Sequence, residues 1–222
     1  METNEHIIIL PGTSDLEVKK SHFISAFRNV RNEDEIREFL EEVRRTHREA
    51  RHNCFAYRYI DESGNLQERF SDDGEPQGTA GKPMLEILKG RNIVDVCAVV
   101  TRYFGGTLLG TGGLFKAYTD SLKEGLEDSV IEPIKRGVRA EFTLDYPTSN
   151  KVKYLAQTMD IFTENEEYSD VCKLSYLVDE EKYAGLADKI VNLSNGKSSP
   201  QNETQVLFYN DNNKPVVYKQ IL

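Results

Sequence analysis

Two polar, glycine-rich segments constrain the fold of this chain more than any other feature. They are residues 71–83 (SDDGEPQGTAGKP) and residues 101–113 (TRYFGGTLLGTGG). Both contain too much glycine and charge to form a hydrophobic core, and repeated glycine indicates left-handed turns or a close approach of the backbone to a neighbour. Between them lie a short helical pattern and an apolar strand, so a compact fold can place both segments at one edge of a sheet. The alternative is that they are two long surface turns.

The second glycine-rich segment has the sequence pattern of an anion site. A strand leads into the glycines, and these lead directly into a helix, so backbone N–H groups and the positive end of a helix dipole are available together. Arg102 at the end of the strand and Lys82 in the first turn of another helix add two cations. The spacing matches neither a Walker A loop nor a Rossmann fingerprint, so no nucleotide is specified. The residues predicted to bind an anion or nucleic acid are Lys82, Arg102, Gly105, Gly106, Gly110, Gly112 and Gly113.

The first glycine-rich segment contains three acidic residues, Asp72, Asp73 and Glu75. They either bind Mg²⁺, or accept hydrogen bonds and pair with Arg102 so that the two segments are held together. We favour the structural interpretation, because a hard cation needs several convergent oxygens and one turn rarely supplies them. The sequence therefore predicts no metal and no cofactor.

Signals for catalysis are weak. The pair His52-x-Cys54 has the residue types of a metal site but no second pair, so a core cysteine beside a surface histidine is the better interpretation. No Gly-x-Ser-x-Gly elbow occurs, and neither glycine-rich segment contains a histidine that would act as a base near neutral pH. The sequence identifies no catalytic residues.

Composition excludes several classes of protein. The net charge is −9, which argues against a strongly basic, non-specific nucleic-acid binder, and no DNA partner is expected. Apolar runs are all shorter than the roughly 20 residues that a membrane helix needs. The acidic N-terminus has no pattern of a secretory signal, so we expect a cytoplasmic protein. Three widely spaced cysteines predict buried, reduced thiols.

Residues 1–136 are predicted to form one α+β domain. Asn32 and Glu35 have the spacing of a capping box at the start of a helix. That helix has acids in its first turns and arginines in its last, which complements the helix dipole; a nucleic-acid role for the arginines is the weaker alternative. We predict strands over residues 6–10, 16–30, 53–60, 66–70 and 93–100, a helix capped by Thr79 and ended by Gly90, and a long helix from Leu114 to Pro133.

Residues 137–222 are predicted to form a second domain with a ferredoxin-like βαββαβ order. The tail from residue 210 onward is expected to add an edge strand or to remain loose. The predicted strands are residues 138–146, 161–168, 171–178 and 205–209, with one helix that starts at Pro147 and another over residues 183–191.

Long motifs make the chain resemble the YigZ/IMPACT family, as a bacterial two-domain member. They are RFSDDGEP at residues 69–76, GTAGKP at 78–83, VVTRYFGG at 99–106, LG at 109–110, GGL at 112–114 and AY at 117–118, with further matches at residues 20–24 and at H-x-C-x-A over 52–56. This resemblance implies an N-terminal domain of the ribosomal-protein and elongation-factor type before the ferredoxin-like domain. Thr107-Leu108 replaces a more usual Thr-Lys, which removes one cation.

The resemblance also implies a link to translation, because eukaryotic relatives regulate translation by engaging the activator of a stress-responsive kinase. Part of that role belongs to an extra N-terminal domain, so we do not expect kinase control to transfer. The first hypothesis is a non-enzymatic binding protein that contacts RNA or the ribosome through residues 69–113. The alternative is an enzyme that binds a small phosphorylated metabolite or nucleotide, with Asp72 or Asp73 as metal ligand or base. A third hypothesis is an adaptor for a protein partner.

Overall fold

The structure is a computed structural model that describes residues 2–221, with side chains from residue 4 onward. The chain divides into two compact units, one formed by residues 5–132 and the other chiefly by the residues from 133 onward. We call them the first unit and the second unit. Within residues 2–221, no helix is both long enough and apolar enough to cross a membrane.

The first unit is an antiparallel sheet with helices on both faces. Its strands follow the order β2-β3-β6-β4-β5. One face packs against α2 and α3 around Tyr118 and Met84, and the other packs against α1 around Phe39. The elements that lie in this unit, wholly or for most of their length, are β1 Glu2–Leu10, β2 Ser14–Val18, β3 Ser21–Asn29, α1 Glu33–Thr46, β4 His52–Ile60, β5 Leu66–Ser71, α2 Gly81–Gly90, β6 Val96–Tyr103 and α3 Gly110–Glu127.

Local sequence explains the central elements. Residues 96–102 of β6 are all buried, as an apolar strand covered on both faces requires. The predicted cap of α1 is confirmed, because the side chain of Asn32 accepts a hydrogen bond from the Glu35 N–H at 2.9 Å. The Glu35 carboxylate in turn accepts from the Arg31 N–H at 2.7 Å.

Three predictions about the first unit are corrected. The strand predicted over residues 16–30, with an irregular middle, is two strands, because Lys19 and Lys20 form a turn with φ of 49° and 65°. The helix predicted to end at Pro133 ends at Glu127, and Pro133 lies in the next strand. Thr79 does not cap α2, since its hydroxyl donates to a backbone carbonyl instead.

The second unit has the predicted βαββαβ order. Its strands are arranged β11-β10-β7-β9-β8, which places the first βαββαβ strand between the last and the third, as in a ferredoxin-like fold. Both helices pack against one sheet face around Phe142, Tyr176 and Leu186. The tail adds the edge strand β11. The elements are β7 Val130–Leu144, α4 Tyr146–Thr158, β8 Phe162–Tyr168, β9 Cys172–Asp179, α5 Glu180–Leu193, β10 Gln201–Asp211 and β11 Lys214–Gln220.

The three cysteines are free and buried, as predicted. Burial raises the pKa of the Cys97 thiol to about 12, so this thiol stays protonated and unreactive at neutral pH.

Gly125 of α3 sets the distance between this helix and the sheet. A Cβ at this position would overlap the Ser25 hydroxyl and come within 2.7 Å of the Phe27 ring. We predict that Gly125→Ala lowers the free energy of unfolding in urea by about 2 kcal/mol, although alanine is the better helix former, because overpacking of a tight contact costs more than helix propensity returns.

Gly90→Ala is the matched control in the same unit. Its added Cβ would meet nothing within 4 Å, so this variant should be as stable as the parent protein or slightly more stable. Equal losses in the two variants would contradict the tight-contact explanation.

Candidate functional site

A buried ion pair joins the two glycine-rich segments. Arg102 at the end of β6 donates from Nη1 to Oε1 of Glu75 at 2.6 Å, and the two side chains are 6% and 4% exposed. The Tyr118 hydroxyl of α3 donates to the same oxygen at 2.9 Å. The sequence analysis predicted that an acid of the first segment pairs with Arg102, and in the structure that acid is Glu75.

The other acids of the first segment hold its backbone. Asp72 Oδ1 accepts from the N–H groups of Ala80 at 3.0 Å and Gly81 at 2.9 Å, and Oδ2 accepts from the Gly78 N–H at 2.8 Å. Asp73 Oδ2 accepts from a backbone N–H of β4 at 2.7 Å. Asp72 thus closes the N-terminus of α2, which explains why α2 needs no cap from Thr79.

These contacts favour the structural role of the acids over the metal-binding one. Both carboxylate oxygens of Asp72 already accept backbone hydrogen bonds, and Glu75 is neutralised by Arg102. Among the described residues, no group of three His, Cys, Asp or Glu side chains has the arrangement of a metal site.

His52 and Cys54 of β4 lie behind the first segment. His52 Nδ1 donates to the Asp73 carbonyl at 2.8 Å, which fixes the proton on Nδ1 and leaves Nε2 4.0 Å from Glu75 Oε1. The Cys54 thiol donates to the Asp72 carbonyl at 3.0 Å, and burial raises its pKa far above the usual range. Cys54 is therefore a structural donor and a poor nucleophile.

A cavity of about 440 Å³ opens between the two segments. Its rim has apolar side chains in contact with solvent: Phe104 is 45% exposed and Leu108 is 83% exposed. Large exposed apolar side chains beside a cavity are typical of a binding surface. The lining residues are Arg51, His52, Glu75, Pro76, Arg102, Phe104, Leu108, Leu109, Gly110, Thr111 and Leu114.

The N-terminus of α3 lies on the wall of this cavity. Gly110 and Thr111 begin the helix and line the cavity, and the preceding Leu109 provides no side-chain cap. No acidic residue occupies the first turn. Backbone N–H groups and the positive end of the helix dipole are therefore available to an anion there.

One exposed basic residue lies at the cavity, and a turn of two lysines packs against the second glycine-rich segment. Arg51 is exposed, lines the cavity and forms no ion pair with another described residue. The Lys19-Lys20 turn packs against Gly105, where a Cβ would overlap the Lys20 backbone, and the Gly105 N–H donates to Ser21 Oγ at 3.0 Å. Gly105 thus permits a close approach between the Lys19-Lys20 turn and the second glycine-rich segment.

The structure places the predicted anion-binding residues in different surroundings. Arg102 and Gly110 line the cavity, while Gly105, Gly106, Gly112 and Gly113 belong to the segment that forms its rim and the start of α3. Lys82 is exposed in the first turn of α2 and does not line the cavity.

Most of the lining residues were not predicted as site residues from the sequence, among them Arg51, His52, Phe104 and Leu108. Phe104 and Leu108 could have been predicted from the sequence, since large apolar residues inside a polar, glycine-rich segment are not expected to be part of a hydrophobic core. Arg51 and His52 reach the cavity only because β4 pairs with β6, where His52 lies opposite Arg102.

The fold and the cavity define a class of protein: an α+β sheet unit with two joined glycine-rich segments, followed by a ferredoxin-like unit. Family models agree with this division, since the Impact N-terminal domain matches residues 19–126 and a domain of unknown function, DUF1949, matches residues 142–197. The chain belongs to the IMPACT family.

Relatives from distant organisms support this membership. The chain is 38% identical over 187 residues to the IMPACT family member YvyE of Bacillus subtilis, covering 84% of this chain and 85% of the relative. It is 36% identical over 188 residues to YigZ of Escherichia coli, covering 84% and 91%. A Dictyostelium discoideum protein named Protein IMPACT homolog is 38% identical over 104 residues, 46% of this chain and 29% of that protein.

A solved structure has the same architecture. A crystal structure of a hypothetical protein superposes with a TM-score of 0.56 at 34% identity, covering 90% of this chain and 97% of that chain.

The ion pair between the segments gives a direct test of the site's construction. We predict that Glu75→Gln lowers the free energy of unfolding by about 3 kcal/mol in urea denaturation, because it leaves the buried Arg102 charge without a counter-ion.

Glu42→Gln is the control, since it removes the same charge from an exposed ion pair. In that pair the Arg28 side chain is 34% exposed and the Glu42 side chain is 49% exposed. Its effect should stay below about 1 kcal/mol. If both variants lose the same stability, the buried pair does not hold the segments together.

Proposed function

We propose that this protein is a non-enzymatic, translation-linked binding protein that contacts RNA, free or in the ribosome, through the cavity between its glycine-rich segments. The proposal rests on one observation: the cavity combines a half-exposed aromatic ring, Phe104, with the uncapped N-terminus of α3. RNA offers the matching pair of chemical groups, since a base has an apolar face and a phosphate accepts hydrogen bonds from backbone N–H groups.

The charges around the cavity support an anionic partner despite the net charge of −9. Glu75 is the acidic side chain among the lining residues, and Arg102 compensates its charge. The exposed Arg51 then leaves one uncompensated cation on the cavity lining, and the exposed Lys19-Lys20 turn packs against Gly105 of the second segment. A local basic patch of this kind steers an anion even when the whole protein is acidic.

The enzymatic alternative has less support. Asp72 and Asp73, the proposed metal ligand or base, accept backbone hydrogen bonds that hold the first segment, and Cys54 is a buried thiol. His52 has one free ring nitrogen near the cavity, but its neighbour is Glu75, which is already bound to Arg102 and Tyr118. A positioned nucleophile with an activating base is what hydrolysis or group transfer would need.

The translation part of the proposal comes from the family and not from the cavity. The resemblance to the YigZ/IMPACT family implies a link to translation, and the chain contains the Impact N-terminal domain over residues 19–126. A cytoplasmic location and the absence of a membrane partner belong to the same proposal. A protein adaptor, without RNA contact, is the competing form of this role.

Charge reversal on the rim tests the proposal. We predict that the double variant Lys20→Glu/Arg51→Glu loses most of its co-sedimentation with ribosomes, because two cations near phosphates become anions. In a salt titration, the plot of log affinity against log salt should become less steep by about one unit for each lost phosphate contact.

Lys123→Glu is the matched control, since Lys123 is exposed on α3 outside the lining residues. It should sediment like the parent protein. Unchanged sedimentation of the double variant would contradict the proposal. A thermal-shift series with nucleotides and Mg²⁺ tests the enzymatic alternative, because a bound ligand raises the Tm by mass action.

A further inference from the structure

We infer that the cavity holds a single unpaired nucleotide of RNA, with its base against Phe104 and its phosphate at the start of α3. This inference rests on the proposed function and specifies the RNA: single strands, loops or ends, and not the continuous duplex.

The shape of the cavity selects an unpaired base. A concave space of about 440 Å³ is within the range of small-ligand pockets, and its apolar rim is formed by single side chains of the second segment. In a duplex the faces of the bases are stacked and only the edges and the backbone are accessible. A base can therefore enter this cavity only when it is unpaired or turned out of the stack.

Phe104 is held in place from within the protein. The guanidinium carbon of Arg102 lies 5.5 Å from the centre of the Phe104 ring and 5.4 Å from the centre of the Phe23 ring. Nearly half of Phe104 remains exposed to solvent. A positioned and accessible ring of this kind is suited to stacking, which does not depend strongly on the identity of the base.

Arg102 also leaves one donor without an acceptor. Its Nε is buried and has no hydrogen-bond partner among the described residues, and the whole residue is only 5% exposed. A buried N–H without a partner costs free energy, and Arg102 lies on the wall of the cavity. An acceptor on a ligand would satisfy this donor, and both a base edge and a phosphate contain such acceptors.

Gly112 has no visible structural reason to be glycine. A Cβ there would meet nothing within 4 Å, and the residue lies in the first turn of α3 without a left-handed φ. Glycine inside a helix is less favourable than alanine. Close approach of a ligand to the backbone explains the glycine, because a phosphate bound by N–H groups leaves no room for a side chain.

A protein side chain is the competing occupant of the cavity. A leucine or phenylalanine from a partner would pack against Phe104 and Leu108, but it would leave the N–H groups of α3 and Nε of Arg102 without acceptors. The combination of apolar and donor groups therefore favours a nucleotide.

Fluorescence anisotropy with labelled RNA tests this inference on the full chain. A short single-stranded oligonucleotide is compared with the duplex of the same sequence, and we expect the single strand to bind at least tenfold more tightly. Phe104→Ala should weaken single-strand binding by roughly tenfold or more, since stacking of one base contributes about 1–3 kcal/mol. Phe104→Tyr should retain most of the affinity.

Phe115→Ala is the matched control, because Phe115 is 51% exposed on α3 but does not line the cavity. Gly112→Ala should weaken single-strand binding while the Tm stays equal or rises, which separates loss of binding from loss of folding. As a measurement that needs no variant, a free nucleoside monophosphate should displace the single strand.

The outcomes separate the inference from the proposed function. Equal affinity for single strand and duplex, or equal effects of the Phe104→Ala and Phe115→Ala variants, overturns the single-nucleotide inference and leaves RNA binding intact. Both proposals fail if neither RNA binds and the substitution of Arg51 leaves ribosome co-sedimentation unchanged. The cavity then belongs to a protein partner.

Discussion

The buried ion pair between Glu75 and Arg102 is the interaction on which the cavity depends. Both side chains are almost fully removed from water, so their desolvation must be offset by a short contact and by the additional hydrogen bond from Tyr118. The ion pair together with the Tyr118 hydrogen bond requires the first segment, the end of β6 and α3 to be in place. The shape of the cavity is therefore coupled to folding. Substitutions of Glu75 or Arg102 are expected to change the stability of the protein as well as any binding at the cavity.

Two helices of the first unit begin near the glycine-rich segments, and their N-termini are treated in opposite ways. At α2, Asp72 supplies acceptors to the N–H groups of Gly78, Ala80 and Gly81. At α3, the N-cap residue Leu109 supplies no side-chain hydrogen bond to the first turn. The difference separates an internal cap from a terminus that is open to a ligand, although the two stretches look equally suited to anions in the sequence.

Sequence patterns predicted most elements and the βαββαβ order, because periodicity and turn residues act locally. They also predicted that an acid of the first segment pairs with Arg102. They missed the capping of α2 by Asp72 and the end of α3 at Glu127, since both depend on chain segments that meet only in the folded state. Phe104 is exposed because β6 ends one residue earlier, at Tyr103. The apolar run in the sequence does not by itself determine where this strand ends.

The strand order of the first unit has a consequence for how the protein is made. β6 lies between β3 and β4, so the last strand of this sheet to leave the ribosome is inserted at its centre. Until then, β2 pairs only with β3 and β4 only with β5, as two separate hairpins with unprotected inner edges. Nascent chains of this kind depend on late, long-range pairing, which slows folding and exposes them to aggregation or to chaperones during synthesis.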